Sequence, residues 1–410
     1  MHRENPHVSE AAEFNDLVVL LAMACIAPLL SRLAKRISVS AVVLEISFGI
    51  LVGPFFLDWV NTEGVIDSFA AFGLALLFFL AGFEIDPVRL RGRPLRGAAT
   101  AWAASLAVGL VVGAVLATSG VVLDSLVVGL AVTTTALGAL LPILRDNGDL
   151  QTGFGQLVTA NGAMGEFGPI VAIAVLFAGD SPLVGSLLLV GFVILIAGGL
   201  AVSRVSRPEW FDHALRSGLH SSNQLPVRLC LLLVALLVWI AAEIGLDLLL
   251  GAFAAGIIIR FAIGGNRDDH DVEVFSEKLE GIGFGVFIPI FFVSTGVAFD
   301  LDALFSSLTT VLKVPMFLAC ILLARAVPVY LVHRELSTPS RRALALYSAT
   351  ALPLIVAITH IGVETGRMRP SNASALVAAG MLSVLMFPVI AAHQRRRDAA
   401  STLVTVDAGG

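Results

Sequence analysis

Two stretches decide the fold: VTTTALGALLPIL at 132–144 and YSATALPLIVAI at 347–358. Both are apolar, and both are interrupted by clustered Ser and Thr followed by Gly or Pro. Such residues weaken a helix and free backbone hydrogen-bonding groups. Two more pairs recur in the same order: EISFGIL (45–51) with AFAAGII (252–258), and FFLAGFEID (78–86) with FFVSTGVAFD (291–300). Any one match is weak in apolar sequence, but three in one register, roughly 210 residues apart, indicate an internal duplication. Matched interruptions in corresponding spans are the strongest sequence pointer to a transporter's binding site. The plainer reading of each is Ser/Thr back-bonding at a kink.

The chain around these stretches is too apolar for a soluble domain. Of its 410 residues 57% are hydrophobic and only 14% charged, against about 25% charged in soluble proteins. Mean hydropathy is +0.91. Apolar runs of about 20 residues, each enough to cross a bilayer, recur along the chain. The 38 glycines suit close helix packing in a membrane. Cys25, Cys230 and Cys320 lie far apart inside apolar spans, a pattern of buried thiols rather than a metal site or disulfide framework. The first run ends in SRLAKR without a small-residue cleavage site, so it reads as a retained helix. No extramembrane segment is long enough for a catalytic domain. The chain is expected to be no enzyme, with no cofactor, structural metal or nucleic-acid partner.

Spans are predicted at 14–34, 39–58, 64–84, 97–119, 123–144, 152–178, 182–203, 226–245, 246–264, 280–298, 305–332, 341–362 and 371–394. With thirteen spans alternate loops share a side, and most of the 26 basic residues then fall on one side. They include Arg32, Lys35 and Arg36, the run Arg89 to Arg96, Arg334, Arg341 and Arg342, and Arg395 to Arg397. The other side holds only Arg3, Arg367 and Arg369. The positive-inside rule places the N-terminus outside and the C-terminus in the cytoplasm. The predicted layout is an extracytoplasmic tail 1–13, a first six-helix repeat 14–178, a linker helix and cytoplasmic loop 179–225, a second repeat 226–394 and a cytoplasmic tail 395–410. The duplication carries spans 2, 3 and 5 onto 9, 10 and 12, an odd shift, so the second copy is inverted in the membrane. The fold class is all-α, a polytopic membrane protein with inverted repeats and matched interrupted helices, which the resemblance below implies are crossed.

Within LVTANGAMGEFGPIVAIAVLF (157–177) sits Glu166. A charge at the bilayer centre costs roughly 2.5–3.5 kcal/mol on insertion scales, so intramembrane charges are read first as functional. If the two interruptions lie beside it, as the family resemblance given next implies, half-helix ends and hydroxyls from Thr133, Thr134, Thr135, Ser348 and Thr350 support a carboxylate suited to bind a proton or a monovalent cation, but not both. Lys313 and Arg325 also fall inside a span; Lys313 lies close enough to its end to snorkel. Glu45 and Glu84 read more simply as structural hydrogen-bonding groups.

These residues together resemble the monovalent cation/proton antiporter superfamily. The nearer branch is that of sodium/proton antiporters and glutathione-gated potassium-efflux systems, matched in its membrane domain only. VVLEISFGILVGP looks like that family's second-span motif, GLALLFFLAGFEIDPVRLRG its third and GVFIPIFFVSTGVAFDL its tenth, and the resemblance covers essentially the whole chain. It implies a thirteen-helix homodimer in a bacterial inner membrane and assigns the crossed broken helices to TTTALG and SATALP. It places Glu166 at the ion-binding acid and Arg325, in LLARAVPVYL, at the basic residue beside it. Where many members pair two polar residues this sequence has Gly165-Glu166, and where some carry a second acid one turn earlier it has Asn161. A single titratable acid then remains, which points to electroneutral exchange of one Na+ or K+ for one proton. An ion-coupled organic solute transporter of the same fold and a transport-inactive ion or pH sensor are the alternative readings. No Gly-rich nucleotide fingerprint follows the last span.

Overall fold

The structure, a computed structural model, describes residues 6–33, 41–60, 64–84, 93–177, 224–243, 248–264 and 269–407, with isolated positions at 187, 190, 191 and 194. Every regular element among them is helical. In chain order these are α1 (Pro6–Leu33), α2 (Ala41–Val52), α3 (Val65–Glu84), α4 (Arg93–Thr118), α5 (Ser125–Ala131), α6 (Leu137–Asp146) and α7 (Gly153–Phe177). They continue as α8 (Leu225–Glu243), α9 (Leu248–Gly264), α10 (Asp269–Ile282), α11 (Ile288–Val297), α12 (Leu301–Phe305), α13 (Leu308–Ile321), α14 (Val327–Val332), α15 (Thr338–Ser348), α16 (Pro353–Glu364) and α17 (Pro370–Asp407). Two π-helical turns, Gly283–Phe287 and Leu322–Ala326, join α10 to α11 and α13 to α14.

Among the described residues eight helical segments are long and apolar enough to cross a membrane, so the chain is a multi-pass membrane protein. The span expected at 182–203 and most of the loop after it lie outside the described residues. Helix α1 begins at Pro6, eight residues before the expected span, and α17 runs unbroken past Arg397 to Asp407. Both expected interruptions are real breaks: α5 gives way to α6 across Val132–Ala136, and α15 to α16 across Ala349–Leu352.

The chain forms two compact units, and each takes segments from both sequence halves. The first comprises Met1–Ala24, Trp59–Asp86 and Ile170–Ser294. Its α3 and α9 meet backbone to backbone: a Cβ on Gly82 would strike the Phe253 carbonyl, and one on Gly256 the Phe79 carbonyl. This reciprocal use of small residues lets transmembrane helices approach closely. Apolar side chains on the α1 part of this unit, such as Phe14 and Val18, are exposed, as a lipid-facing surface would be.

The second unit comprises Cys25–Asp58, Pro87–Pro169 and Thr295–Gly410. Gly113 of α4 lies against the Ser125 carbonyl at the start of α5. Asp124 caps α5, accepting from Leu126 N at 2.7 Å and Val127 N at 3.3 Å, and Arg367 lies 3.6 Å from its carboxylate. Lys313 donates to Asn372 Oδ1 at 2.7 Å, and Asn372 Nδ2 donates to the Val121 carbonyl at 2.9 Å. Lys313 thus has a protein partner rather than only the interface. At the other end of the unit, Arg395 reaches Asp149 at 2.8 Å and Ser340 at 2.9 Å and stacks on Phe154. Both broken pairs are therefore pinned at their outer ends, and their breaks meet inside this unit.

Candidate functional site: the crossing of two broken helices

Where a helix stops mid-membrane its terminal N–H and C=O groups have no intrahelical partner and need another. Here the breaks partly satisfy each other. Ala136 N donates to the Thr350 carbonyl at 2.7 Å, and Thr135 Oγ1 donates to the Ser348 carbonyl at 2.5 Å. The third contact is with α7, where Thr135 N donates to the Gly165 carbonyl at 3.1 Å. Thr133, Thr134, Thr135, Ser348 and Thr350 are all buried.

The carboxylate of Glu166 meets the first turn of α6, where Leu137 N donates to Oε1 at 2.7 Å. An acid belongs there, because a helix N-terminus presents free N–H groups and partial positive charge. Glu166 is only half-buried, whereas the hydroxyls around the breaks are closed off.

Arg325 sits in the π-helical turn between α13 and α14, with 0% of its side chain exposed. Such turns admit one extra residue and often mark functional positions. Its Nε donates to Thr135 Oγ1 at 2.8 Å, Nη2 to the Asn161 carbonyl at 2.5 Å and Nη1 to Ser105 Oγ at 3.4 Å. Among the described residues it makes no ion pair with Glu166. Its charge is instead passed through the Thr135 hydroxyl to the carbonyl at the C-terminus of α15, the end where a cation is favourable. Acid and base thus compensate opposite ends of different half-helices.

The other expected residues divide. Thr133, Thr134 and Thr350 donate their hydroxyl protons back to Leu130, Ala131 and Leu346 of their own helices, the ordinary back-bonding of Ser and Thr. Their oxygens keep acceptor capacity. Ser348 Oγ and Asn161 Oδ1 are buried with no hydrogen-bond partner among the described residues. The Asn161 amide nitrogen serves Leu157 O at 2.9 Å and His333 Nε2 at 3.1 Å. Ser105 and His333 escaped sequence reading: a serine inside a span and a histidine at its end carry no pattern that separates them from ordinary helix residues. Glu45 is buried in α2, apart from this cluster in sequence and element.

Gly165 gives a physical reason for the missing neighbour of Glu166. A Cβ there would collide with Thr135 Oγ1 and lie 2.6 Å from Thr135 Cβ and 2.7 Å from Arg325 Nη2. The place of a second side chain is taken by the threonine and the guanidinium.

The chain is similar to known antiporters along most of its length. It is 26% identical over 395 residues to YjbQ of Bacillus subtilis, provisionally named a Na+/H+ antiporter, covering 91% of this chain and 62% of that protein. It is 28% identical over 387 residues to the Na+/H+ antiporter NhaS5 of Synechocystis sp., with 90% and 52% covered. Cation/H+ antiporter 17 of Arabidopsis thaliana is 27% identical over 314 residues, with 68% and 36% covered. The chain therefore spans less than two thirds of the length of these relatives. Its fold matches the sodium proton antiporter MjNhaP1 of Methanocaldococcus jannaschii, with a TM-score of 0.67 at 16% identity over 91% of this chain and 95% of that one. The family profile described as Sodium/hydrogen exchanger, transmembrane, matches residues 21–393. A match over that much of its length shows that the chain belongs to the sodium/hydrogen exchanger family.

Proposed function

We propose that this protein exchanges a monovalent cation, Na+ or K+, for a proton across a bacterial inner membrane, one for one, by alternating access around Glu166. The observation that carries the reading is the separation of the two intramembrane charges. Arg325 is satisfied by Thr135, Ser105 and the Asn161 carbonyl, which leaves the half-buried Glu166 carboxylate without a fixed counter-charge among the described residues. Such a group needs a mobile one, and a proton or an alkali cation can supply it. When the cation leaves on one face a proton replaces it, and the neutral site returns. Ser348 Oγ and the acceptor capacity of Thr133, Thr134 and Thr350 are the oxygens available near the breaks to support a desolvated cation. The basic side of the chain faces the cytoplasm in this reading, the N-terminus lies outside, and the exposed apolar surfaces meet lipid and a second copy in a homodimer.

One cation against one proton moves no net charge. A membrane potential is worth about 2.3 kcal/mol per elementary charge per 100 mV, so a charge-moving cycle would respond strongly to voltage. The test sets potassium–valinomycin potentials of either sign across proteoliposomes, with sodium as the transported ion. The sodium gradient at which proton flux reverses should stay fixed. A reversal point that moves with voltage would require a second charged group in the cycle.

A further inference from the structure

A histidine that no step above uses is wired to the site. His333 caps the C-terminus of α14 and is 2% exposed. Its Nδ1 lies 3.0 Å from Glu335 Oε1, a carboxylate 61% exposed in the loop before α15. Its Nε2 lies 3.1 Å from Asn161 Nδ2. The Asn161 backbone carbonyl, on the same residue, holds Arg325 Nη2. The exposed loop and the buried guanidinium are thus two residues apart along one chain of contacts.

The pattern of donors fixes the state of the ring. Asn161 Nδ2 can only donate, and it already donates to Leu157 O, so Nε2 of His333 must accept. Nδ1 then carries the proton and donates to Glu335. The structure therefore holds the neutral imidazole. Protonation would turn Nε2 into a donor facing a donor. The acceptor able to relieve this is on the same side chain: Asn161 Oδ1 is buried and unpartnered. Turning the amide offers Oδ1 to the imidazolium and withdraws Nδ2 from Leu157 O, at the residue whose carbonyl anchors Arg325.

The charged groups around the ring suit this exchange. Partial burial works to raise the Glu335 carboxyl, but its own backbone amide, the bond from His333 and the field of Arg341 act against it, so Glu335 titrates below the ordinary value. It is a standing anion for an imidazolium. From α15, Arg341 stacks on Tyr330 and donates to its carbonyl. In the loop, Arg334 donates to the Leu331 carbonyl. On α4 the imidazole abuts Gly97, which the exposed Arg96 precedes. From the π-helical turn the charged group is Arg325, reached through Asn161, and α7 contributes Asn161 itself.

We infer that His333 is a positioning residue that reads the pH on the Glu335 side of the membrane and resets Asn161, and through it the Arg325 anchor beside Glu166. This rests on the antiporter reading above, and that side is the cytoplasm by charge asymmetry. Two measurements test it. Deuterium exchange at the imidazole Cε1–H, followed by mass spectrometry against pH, reads the midpoint of His333 protonation in wild type and in Glu335→Gln. Glu335→Gln should lower that midpoint by about one unit, a tenfold change in proton concentration. In proteoliposomes, the dependence of exchange on pH at the Glu335 side should shift to more acid values in Glu335→Gln. In His333→Gln, which keeps an acceptor for Asn161 but binds no proton, the profile should lose one proton of steepness, with exchange retained. A wild type that exchanges, with a profile indifferent to both substitutions, would overturn this inference alone. So would a His333 midpoint that Glu335→Gln leaves unmoved. A wild type without cation-dependent proton flux would overturn the antiporter reading and this inference with it.

Discussion

Gly165→Ala tests the arrangement of the core with one methyl group. Ordinary carbon contacts lie near 3.5–4.0 Å, whereas the new carbon would stand 2.6 Å from Thr135 Cβ and 2.7 Å from Arg325 Nη2. A displacement of about 1 Å is therefore required. Neither neighbour can yield cheaply. Thr135 is held by its bonds to the Ser348 carbonyl, Arg325 and the Gly165 carbonyl, and Arg325 is wholly buried. Overpacking costs about 1–3 kcal/mol, and loss of one hydrogen bond to a charged group about 1.5–3 kcal/mol. Alanine's helix preference over glycine returns about 1 kcal/mol, so the net loss is about 2–5 kcal/mol. For a chain of this size that corresponds to a melting point lower by roughly 4–10 °C, taking about 2 °C per kcal/mol. The assay is thermal unfolding in detergent, with cation-dependent proton flux in proteoliposomes alongside. Gly281→Ala is the control, since a Cβ there meets nothing within 4 Å and should leave stability equal or slightly higher. A Gly165→Ala protein melting with the wild type would show that Arg325 and Thr135 do not fill that space.

Glu166→Gln should abolish exchange in a folded protein, because the amide cannot alternate its charge; wild-type flux would remove Glu166 from the cycle. Glu166→Asp shortens the reach to the Leu137 amide by one methylene. It should keep partial activity with a shifted pH optimum, the lost charge-assisted bond corresponding to about a tenfold or greater drop in apparent cation affinity. Arg325→Ala leaves the Asn161 carbonyl and Thr135 without their donor and should lower stability by about 1–3 kcal/mol for each buried acceptor left unpaired. Arg325→Lys should retain part of it, since an ammonium cannot span three partners in a fork. If both variants match wild type in stability and in the pH dependence of transport, the guanidinium holds nothing in place.

Much of this was legible because bilayers make sequence errors expensive. TTTALG and SATALP stood out since Thr, Ser, Gly and Pro inside apolar runs must be explained by a break, and the structure breaks both. Glu166 and Arg325 stood out for the same reason. Partner identity was not legible. Sequence order says that Arg325 and Glu166 are both intramembrane charges, which leaves Glu166 or a backbone carbonyl as the partner; the bond goes to the Asn161 carbonyl, a group that exists at every residue and leaves no trace in side-chain chemistry. Gly165 reads as a lost acid, and only the packing reveals the guanidinium in its place. Lys313 lies near a span end, where snorkelling is the natural expectation. Its bond to Asn372 depends on a helix that begins 57 residues later.

The use of a carbonyl in place of an acid has a consequence for the ion cycle. An acid at position 161 would hold Arg325 by charge, and either partner could then exchange its proton or its counter-charge during transport. The Asn161 carbonyl can do neither, because it has no proton to gain or lose. Burying a guanidinium on neutral partners is costly, and that cost is offset by the helix C-terminus reached through Thr135 and by three hydrogen bonds that a planar fork makes at once. The positive charge is thereby fixed to the scaffold. What remains free to change at the crossing is the Glu166 carboxylate, stabilised at the α6 N-terminus by dipoles rather than by a counter-ion. Dipoles favour the anion without neutralising it, which is what the proposed alternation of a proton and a cation on this group requires. The one-for-one exchange proposed above rests on that division between a fixed base and a titratable acid.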